Sequence, residues 1–507
     1  MSTDAVIGVD LGTSGLKAVA LGADGQIMGR ASARYRTARP EAGASEQRPE
    51  DWLAALRQAL ADLSGLVPAR QWRGLGLSGM IPTLVALDAG DRPVGPAITW
   101  EDSRAEEHAA AIRAAAGADE IYRVTGQWLD GRYLLPMRAR LGSVRSPDAS
   151  QITRIASAKD YLLWWLTGQW YTDPSTAAGY GCYDLRLGAW DERILAAAGC
   201  ADQRLPEIAD PGRAVPVAAG HGSECGLPAG LPVVVGAADS VLAVLGLGVR
   251  EPGEVAYVAG TSTVILGISA DLRLDPEHRY LVTPLAGIGG WGLEMDLLAT
   301  GSAVQWLSGL FGCAEADLIA LAERCDPAEA PTFLPFLAPG EQGALWDPLL
   351  TGAVLGVDLR HDRGHLARGL LTGITLESRR CLRLLERATG LAGTLRVAGG
   401  SAASPVFRQD LADASGRTAV ADTGFADYSA LGAAYLAAGS AGFDQPATVR
   451  QATAGQQGIA GRSVHRPDPS RAATWRDLAV RHDDVLAAVR HRTALTGPVA
   501  SAPSLAI

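Results

Sequence analysis

The start of the chain alternates short apolar runs with small turns, the pattern of an antiparallel meander. Apolar runs at Val6–Leu11 and Leu16–Leu21 are joined by the turn Gly12–Gly15, and a further run at Ile27–Tyr35 follows a second turn. Runs of this length, bounded by glycine-rich turns, are typical of β-strands. The pattern therefore predicts three consecutive strands at the start of an α/β domain.

Helical spacing of apolar residues follows this meander. Asp51–Leu63 has apolar residues on one face and a proline, Pro49, just before it, which predicts a helix. Further helices are predicted at Glu101–Ala116, Lys159–Thr167, Asp239–Leu247, Arg363–Thr389 and Ser470–Thr493, and further strands at Leu75–Leu77, Leu84–Leu87 and Val233–Gly236. From about Gly439 to the final helix the chain is predicted to be loop.

A second copy of the opening pattern lies about half a chain away. Glu254–Ser269 again reads as a strand, a Gly-Thr-Ser turn and a strand. Solenoid repeats recur every roughly 20–50 residues, and this separation is far larger. The repeat therefore predicts two similar lobes.

The composition is that of an acidic globular protein. The chain has 507 residues, of which 48% are hydrophobic and 20% charged, and a net charge of −10. It has no run rich in lysine and arginine, so no nucleic-acid partner is expected. The six cysteines are scattered, which argues against a zinc site and a disulfide framework. With no leader peptide and no long apolar run, we expect a cytoplasmic protein without a membrane partner.

The two Gly-Thr-Ser turns are candidate phosphate-binding loops. A tight glycine turn exposes consecutive backbone N–H groups, and the hydroxyls of Thr13, Ser14, Thr261 and Ser262 add donors, so a phosphate can be bound without a lysine. Either turn alone has a plain hairpin as its alternative. Their matching positions in the two repeats predict a phosphate clamp.

A third glycine-rich segment and two acids complete the candidate chemistry. Gly399–Ser401 follows an apolar run and precedes a helix. Its glycines would let a flat ring or a sugar approach the backbone closely, and the alternative is a simple strand–helix turn. Asp10 ends the first strand. Asp239 lies at a strand–helix junction among small residues. Two roles fit this position: the N-cap of the helix, or the general base for a hydroxyl group.

Several motifs in this order resemble those of the FGGY carbohydrate kinases, and most closely the xylulokinase branch. The resemblance covers nearly the whole chain. The matching segments are GVDLGTSGLKAV, TWEDSR, SAKDYLLWWLTG, VGAADSVLAVLGLG, VAGTSTV, AGGSAASPVFRQDLADASG and GAVLGVDLRHDRGHLARGLLTGI.

This resemblance implies an α/β protein of two actin-like (ribonuclease H-like) lobes, with ATP and sugar in the cleft between them. It divides the chain into an N-terminal lobe at 1–246, a C-terminal lobe at 247–440, and an extension at 441–507 whose helix packs back on the lobes. ATP and Mg²⁺ are the implied cofactors. A small-molecule sugar is the implied partner, and a homodimer is a further expectation.

The resemblance also implies roles for individual residues. Asp239 would accept the proton of the sugar hydroxyl, and Asp10 would help to hold Mg²⁺ and the phosphates. ATP would be bound by Gly12, Thr13, Ser14, Gly260, Thr261, Ser262, Gly399, Gly400, Ser401 and Ser404. The sugar would contact Met80, Ile81, Trp100, Asp102, Arg104, Asp239 and Ser240.

The sugar pocket departs from the family pattern. Met80, Ile81 and Pro82 stand where typical xylulokinases have Gln-Met-His, so a hydrogen-bonding histidine is absent. Losing such a polar contact weakens discrimination between substrates. The first expectation is ATP-dependent phosphorylation of a ketopentose, D-xylulose, at a terminal hydroxyl to give D-xylulose 5-phosphate. An FGGY kinase for another polyol, ketose or sugar acid is the alternative, and a non-catalytic actin-like nucleotide-binding protein is the alternative of another class.

Overall fold

The computed structural model describes residues 4–143, 149–338, 343–347, 349–422, 425–443 and 462–496. In chain order the strands are β1 (Ala5–Leu11), β2 (Gly15–Gly22), β3 (Ile27–Arg34), β4 (Glu46–Gln47), β5 (Trp72–Gly79), β6 (Leu84–Leu87), β7 (Ala97–Ile98), β8 (Arg154–Ser157), β9 (Tyr171–Thr172), β10 (Tyr183–Asp184), β11 (Ala189–Trp190), β12 (Glu207–Ile208), β13 (Ala214–Pro216), β14 (Pro232–Ala238), β15 (Val255–Ala259), β16 (Thr263–Ser269), β17 (Leu281–Pro284), β18 (Trp291–Leu297), β19 (Thr332–Leu334), β20 (Ala353–Leu355), β21 (Leu395–Ala398), β22 (Ala419–Asp422) and β23 (Arg462–His465). The α-helices are α1 (Pro49–Leu66), α2 (Glu106–Ala116), α3 (Ala118–Thr125), α4 (Leu134–Ser143), α5 (Ala158–Thr167), α6 (Pro174–Ala178), α7 (Glu192–Ala197), α8 (His221–Glu224), α9 (Asp239–Gly246), α10 (Gly301–Phe311), α11 (Glu315–Ala322), α12 (Arg363–Thr389), α13 (Pro405–Ser415), α14 (Tyr428–Ser440) and α15 (Ala472–Thr496). Short 3-10 helices lie at Ala69–Gln71, Ala149–Gln151, Gly400–Ala402 and Pro469–Arg471.

The chain divides into two compact units, and it returns to the first unit after leaving it. The first unit takes its residues from Met1–Gly248, Val282–Trp291 and Asp427–Gly458, and the second from Val249–Leu281, Gly292–Ala426 and Ile459–Ile507. The domain bounds expected from the sequence, 1–246, 247–440 and 441–507, stay predictions. Residues 444–461 and 497–507 of the expected extension lie outside the described residues.

The first unit is built on a sheet with the strand order β13-β14-β5-β1-β2-β3. β1, β2 and β3 form the predicted antiparallel meander, and β5 and β14 run parallel to β1. Every residue of β1 is buried, because it is a central strand covered on both faces. Alternate residues of a strand point to opposite faces, and Ile7, Val9 and Leu11 pack in one core with the apolar face of α1.

The other face of this sheet is covered by α14 at very short range. A Cβ added at Gly8 of β1 would overlap the backbone of Ala430, and one added at Gly76 of β5 would overlap Ala433. α14 in turn packs closely on α9, where Gly432 lies against the backbone of Leu242. Glycine within a strand often marks such a close backbone approach. These contacts hold the first residues of α9 and α14 near the carboxyl ends of β1 and β14.

The second unit repeats this design. Its strands β18, β16, β15, β21, β22 and β23 lie side by side in that order. β15 pairs antiparallel with β16 and parallel with β21, as β1 does with β2 and β5. The internal repeat and the α/β class predicted from the sequence are confirmed.

Two local predictions were wrong. The helix expected from Glu101 begins only at Glu106, because the Asp102 carboxylate bonds Ser45 and Arg104 and holds this segment in an irregular turn. The stretch expected to be loop contains β23, a short edge strand that pairs with β22. Such a short strand has too few residues to show an alternating pattern.

Of the residues described, no single helix is long and apolar enough to cross a membrane. One bent pair of helices, α10 with α11, meets this test by length and composition when the two are taken together, with an angle of 97° between them.

Candidate active site

Three parallel strands of the first unit end at the same edge of the sheet, and each brings a polar residue there. Asp10 of β1 stands in register with Ser78 of β5, and Ala238, the last residue of β14, stands in register with Gly79. Asp239 follows Ala238 directly. The strand register therefore places both predicted acids, Asp10 and Asp239, at one edge of one sheet.

Asp10 is a buried carboxylate with a specific partner. The Ser78 hydroxyl donates to its Oδ1 at 2.7 Å, and only 7% of the residue is exposed. Burial raises the pKa of Asp10, although the bond from Ser78 and the charge of Lys17 oppose this, and Asp427 adds to it. Lys17 Nζ lies 3.3 Å from Asp427 Oδ1. A desolvated acid of this kind binds a cation or a proton more readily than an exposed one does.

We expect the substitution Asp10→Asn to stabilise the ligand-free protein. Asparagine keeps the acceptor for Ser78 and removes the buried charge, so the melting temperature should rise by about 2–4 °C. Since the folded pKa of Asp10 is raised, wild-type Asp10 becomes neutral as the pH falls through that value, and the difference in melting temperature should shrink as the pH is lowered from 8. Melting curves without metal or nucleotide measure this. A variant less stable than wild type at pH 8 would contradict it.

Asp239 is the first residue of α9. The residue in the N-cap position is Ala238, so the N-cap interpretation of Asp239 is wrong by one residue. Oδ1 of Asp239 accepts a hydrogen bond from Ser240 N at 2.9 Å, and the hydroxyl of Ser429 donates to the Asp239 carbonyl at 3.0 Å. The backbone of Asp239 is thus held by α14, and its half-buried side chain lies at the sheet edge.

A buried ion network supports the strand that leads to Asp239. Lys159 is fully buried, and its Nζ lies 2.9 Å from Asp160 Oδ1, 3.3 Å from Asp173 Oδ1 and 3.0 Å from the carbonyl oxygen of Val235 in β14. Asp173 bonds the hydroxyl of Ser175, which accepts a hydrogen bond from Ala238 N at 3.0 Å. Burial alone would lower the pKa of Lys159, yet the two carboxylates together raise it. The motif Lys-Asp-Tyr was visible in the sequence. The hydrogen bond from its lysine to β14, the strand that leads to Asp239, was not.

The carbonyl oxygens of the first Gly-Thr-Ser turn accept hydrogen bonds from side chains of the same unit. Tyr35 donates its hydroxyl to the Gly12 carbonyl, and Gln47 Nε2 donates to the Thr13 carbonyl at 2.7 Å. Trp100 Nε1 donates to Thr13 Oγ1 at 3.0 Å. In the part of the chain that the structure describes, the N–H groups of Thr13 and Ser14 make no hydrogen bond. The turn therefore presents unpaired donors, as an anion-binding loop does.

The second turn, in the other unit, is held in the same way. The Thr261 carbonyl accepts hydrogen bonds from Ser302 N at 3.0 Å and from the Ser302 hydroxyl at 3.1 Å, and Thr300 adds a longer bond. Among the described residues, the N–H groups of Thr261 and Ser262 have no partner. The Thr261 carbonyl is thus bonded within its own unit, and the N–H groups of Thr261 and Ser262 remain available as donors. Tyr35, Gln47, Thr300 and Ser302 were missed from the sequence because no local motif marks them.

The glycine-rich segment adjoins this second turn within the same unit. Gly399 has φ = 96°, and a Cβ there would overlap the carbonyl of Ala259, the residue before the turn. Gly400, in contrast, has open space where a Cβ would stand. Ser404 is the N-cap of α13, accepting from Phe407 N at 3.1 Å and bonding Glu323.

We therefore expect Gly399→Ala to be far more damaging than Gly400→Ala. The first forces a side chain into a backbone conformation and a space that only glycine fits, at a cost of roughly 1–3 kcal/mol. The second keeps an allowed conformation. Melting temperature and ATP binding, measured on both variants, separate them, and equal loss in the two would contradict this reading of the segment.

The residues predicted to contact the sugar differ in burial and in their hydrogen-bond partners. Ile81 and Ser240 are half-buried, whereas Met80 is fully buried and its N–H bonds the Leu11 carbonyl at 2.9 Å. Asp102 is buried against Arg104, whose guanidinium also bonds Glu41 and Glu46, each at 2.7 Å. These bonds give the Asp102–Arg104 pair a structural role. Their contact with a sugar stays a prediction.

The donor set fits a bound nucleotide phosphate and its metal ion. Each turn has paired carbonyls and free N–H groups, and Asp10 supplies the oxygen ligand that a hard divalent cation prefers. Phosphate binding needs no lysine when a turn presents consecutive backbone N–H groups in this way.

Comparison with known proteins shows the family to which the chain belongs. Residues 5–246 match the N-terminal domain, and residues 255–441 the C-terminal domain, of the FGGY family of carbohydrate kinases. The chain is 29% identical over 482 residues to the xylulose kinase of Klebsiella pneumoniae, covering 92% of this chain and 96% of that protein. It is 28% identical over 432 residues to the gluconokinase of Bacillus licheniformis, covering 81% and 83%. The solved xylulose kinase of Rhodospirillum rubrum matches with a TM-score of 0.86 at 27% identity, covering 96% of this chain and 99% of that one. The two domain matches together span most of the sequence, and the chain therefore belongs to the FGGY family of carbohydrate kinases.

Proposed function

We propose that this kinase transfers the γ-phosphoryl group of ATP to a terminal hydroxyl of a ketopentose, with D-xylulose as the first choice. The observation that carries the proposal is the sheet edge that brings Asp10 and Asp239 together beside a turn with free N–H groups. An acid held at a fixed backbone position, next to a phosphate loop, suits the activation of a hydroxyl group. Similarity to xylulose kinases supports the choice of sugar.

In this proposal Asp239 accepts the proton of the attacking hydroxyl group as the oxygen approaches the γ-phosphorus. The two turns bind the phosphate oxygens through the free N–H groups of Thr13, Ser14, Thr261 and Ser262. Gly399, Gly400, Ser401 and Ser404 lie along the adenosine. Phosphoryl transfer depends mainly on positioning and on neutralising charge, so fixed donors with anchored carbonyls are the useful feature.

Asp10 would hold Mg²⁺, which supplies neutralisation of the phosphate charge when it is bound. The raised pKa of Asp10 agrees with this role, since a buried carboxylate gains stability from a cation. Trp100 positions the hydroxyl of Thr13 in the first turn. A homodimer and a cytoplasmic location stay predictions.

The sugar itself is the open part of the proposal, and one observation favours an alternative. Met80, Ile81 and Pro82 supply no hydrogen-bonding side chain where a histidine is typical, and the relatives include a gluconokinase. A kinase for another polyol, ketose or sugar acid is therefore the second candidate.

A panel of acceptors tests the choice. We would measure kcat/KM for ADP release with D-xylulose, other ketoses, pentitols, tetritols and aldonates. The proposal expects D-xylulose to exceed the other classes by about tenfold or more. A sugar acid or a shorter polyol with the highest kcat/KM would replace D-xylulose, and no turnover with any acceptor would contradict the kinase assignment.

A further inference from the structure

A cavity of about 140 Å³ on the second unit has an unusual lining. It is formed by α12 and α15, and its walls are Leu376, Arg379, Arg380, Arg383, Arg387, Ala479, His482 and Asp483. Half of these residues are arginines, in a protein whose net charge is −10. The cavity lies within one unit and includes none of the residues assigned to ATP or sugar.

Three of the arginines form a row. Arg379, Arg383 and Arg387 are spaced by four residues, so they lie on the same face of α12. Like charges at this spacing repel each other. Burial, and then the neighbouring charge of Arg383, lowers the pKa of Arg379. The row therefore carries a local excess of positive charge.

The carboxylates nearby are already engaged. Asp483 Oδ1 is bonded by Arg380 Nη2 at 2.6 Å, and Glu377 is bonded by Arg380 at 3.0 Å and by His482 at 2.7 Å. Within the described ranges no ion pair forms between a carboxylate and Arg379, Arg383 or Arg387. Asp483 does act on Arg379 through space, but its short bond is to Arg380. Among the residues that line the cavity, the single carboxylate of Asp483 therefore faces four guanidinium groups.

We propose that this cavity binds a small soluble anion with two or more phosphate groups, such as a phosphorylated metabolite. Guanidinium groups present parallel donors that match phosphate oxygens in pairs, and several of them around one cavity hold a multiply charged anion. A cavity of this size between two helices, with Arg383 and Arg387 exposed at its rim, suits a compact solute better than a polymer. This proposal is independent of the kinase assignment.

The test uses inorganic pyrophosphate and the full chain, with a saturating non-hydrolysable ATP analogue present to fill any nucleotide site. Isothermal titration should show saturable binding in the wild-type protein. The double substitution Arg383→Gln with Arg387→Gln should weaken it by about tenfold or more, since hydrogen bonds to charged groups are lost. The matched control is Arg324→Gln with Arg363→Gln, two exposed arginines of the same unit that do not line the cavity.

Each outcome of this titration either supports or overturns the proposal. Retained binding in the control and loss in the cavity variant support the proposal, and the single substitution Arg383→Gln serves if the double variant does not fold. No saturable binding, or equal loss in both variants, overturns it. Binding to vesicles containing phosphatidylinositol phosphates, or to single-stranded RNA, without binding of pyrophosphate would also overturn it.

Discussion

Asp239→Asn is expected to abolish sugar-dependent ADP release while the protein stays folded and still binds ATP. Asparagine has nearly the same shape and can keep the bond from Ser240 N to Oδ1, but it cannot accept a proton. Removing a general base lowers the rate by about 10²–10⁴-fold. The measurement is kcat for ADP release with D-xylulose, together with a melting curve and the affinity for ATP.

The matched control for this variant is Asp24→Asn, which changes an exposed acid in the β2–β3 turn of the same unit. The control should keep wild-type turnover. Near-normal turnover of Asp239→Asn would show that this residue is not the base. A loss of ATP affinity as large as the loss of turnover would instead place Asp239 in nucleotide binding.

Lys159→Met is expected to destabilise the protein more than any other substitution considered. It leaves the carboxylates of Asp160 and Asp173 buried without their cation, and each is 1% exposed or less. Breaking a buried ion pair on one side costs about 3–5 kcal/mol. We expect a marked fall in melting temperature, and a fall in kcat in whatever fraction remains folded, since Ser175 and Val235 near Asp239 lose their support.

The chain offers a matched control for this substitution. Its 45 lysine and arginine residues include only two lysines, Lys17 and Lys159. Lys17 pairs with Asp427 with 45% of its side chain exposed, and such a pair contributes about 0–1 kcal/mol. Lys17→Met should therefore change the melting temperature little. Equal destabilisation by the two variants would show that the Lys159 network does not carry the stability assigned to it.

The strands, the repeat and the two acids could be predicted because each has a local pattern. β1 and β15 are short apolar runs that end in a Gly-Thr-Ser turn, and period and turn residues are enough to find them. Their parallel partners β5 and β21 are needed to bring the two acids to one edge of the first unit's sheet, and to bring the glycine-rich segment beside the second turn in the second unit's sheet. That step depends on strand register, which is set by pairing across long stretches of chain.

The residues that hold the turns could not be predicted from any motif. Gln47 and Tyr35 reach the first turn from segments with no special composition, and Ser302 reaches the second from the start of α10. Single polar side chains give no periodic pattern. Two glycines, Gly8 and Gly76, were a missed indication, since glycine inside a buried strand often marks the close approach of another element.

The Trp-x-Asp-x-Arg element shows a different limit. The resemblance implied that Trp100, Asp102 and Arg104 contact the sugar, and this stays a prediction. The structure adds that Trp100 is bonded to the first turn and that Arg104 is bonded to three carboxylates. A motif identifies residues that belong together. Which partner each side chain contacts depends on residues far away in the sequence, here Glu41 and Glu46.

Phosphorus NMR of a reaction containing ATP, Mg²⁺, D-xylulose and the protein tests the central claim most directly. The account predicts that ADP and a sugar phosphate monoester form in equal amounts, and that neither forms with Asp239→Asn. Release of inorganic phosphate in place of the monoester, or an unchanged ATP spectrum with D-xylulose and with every other acceptor of the panel, would contradict it.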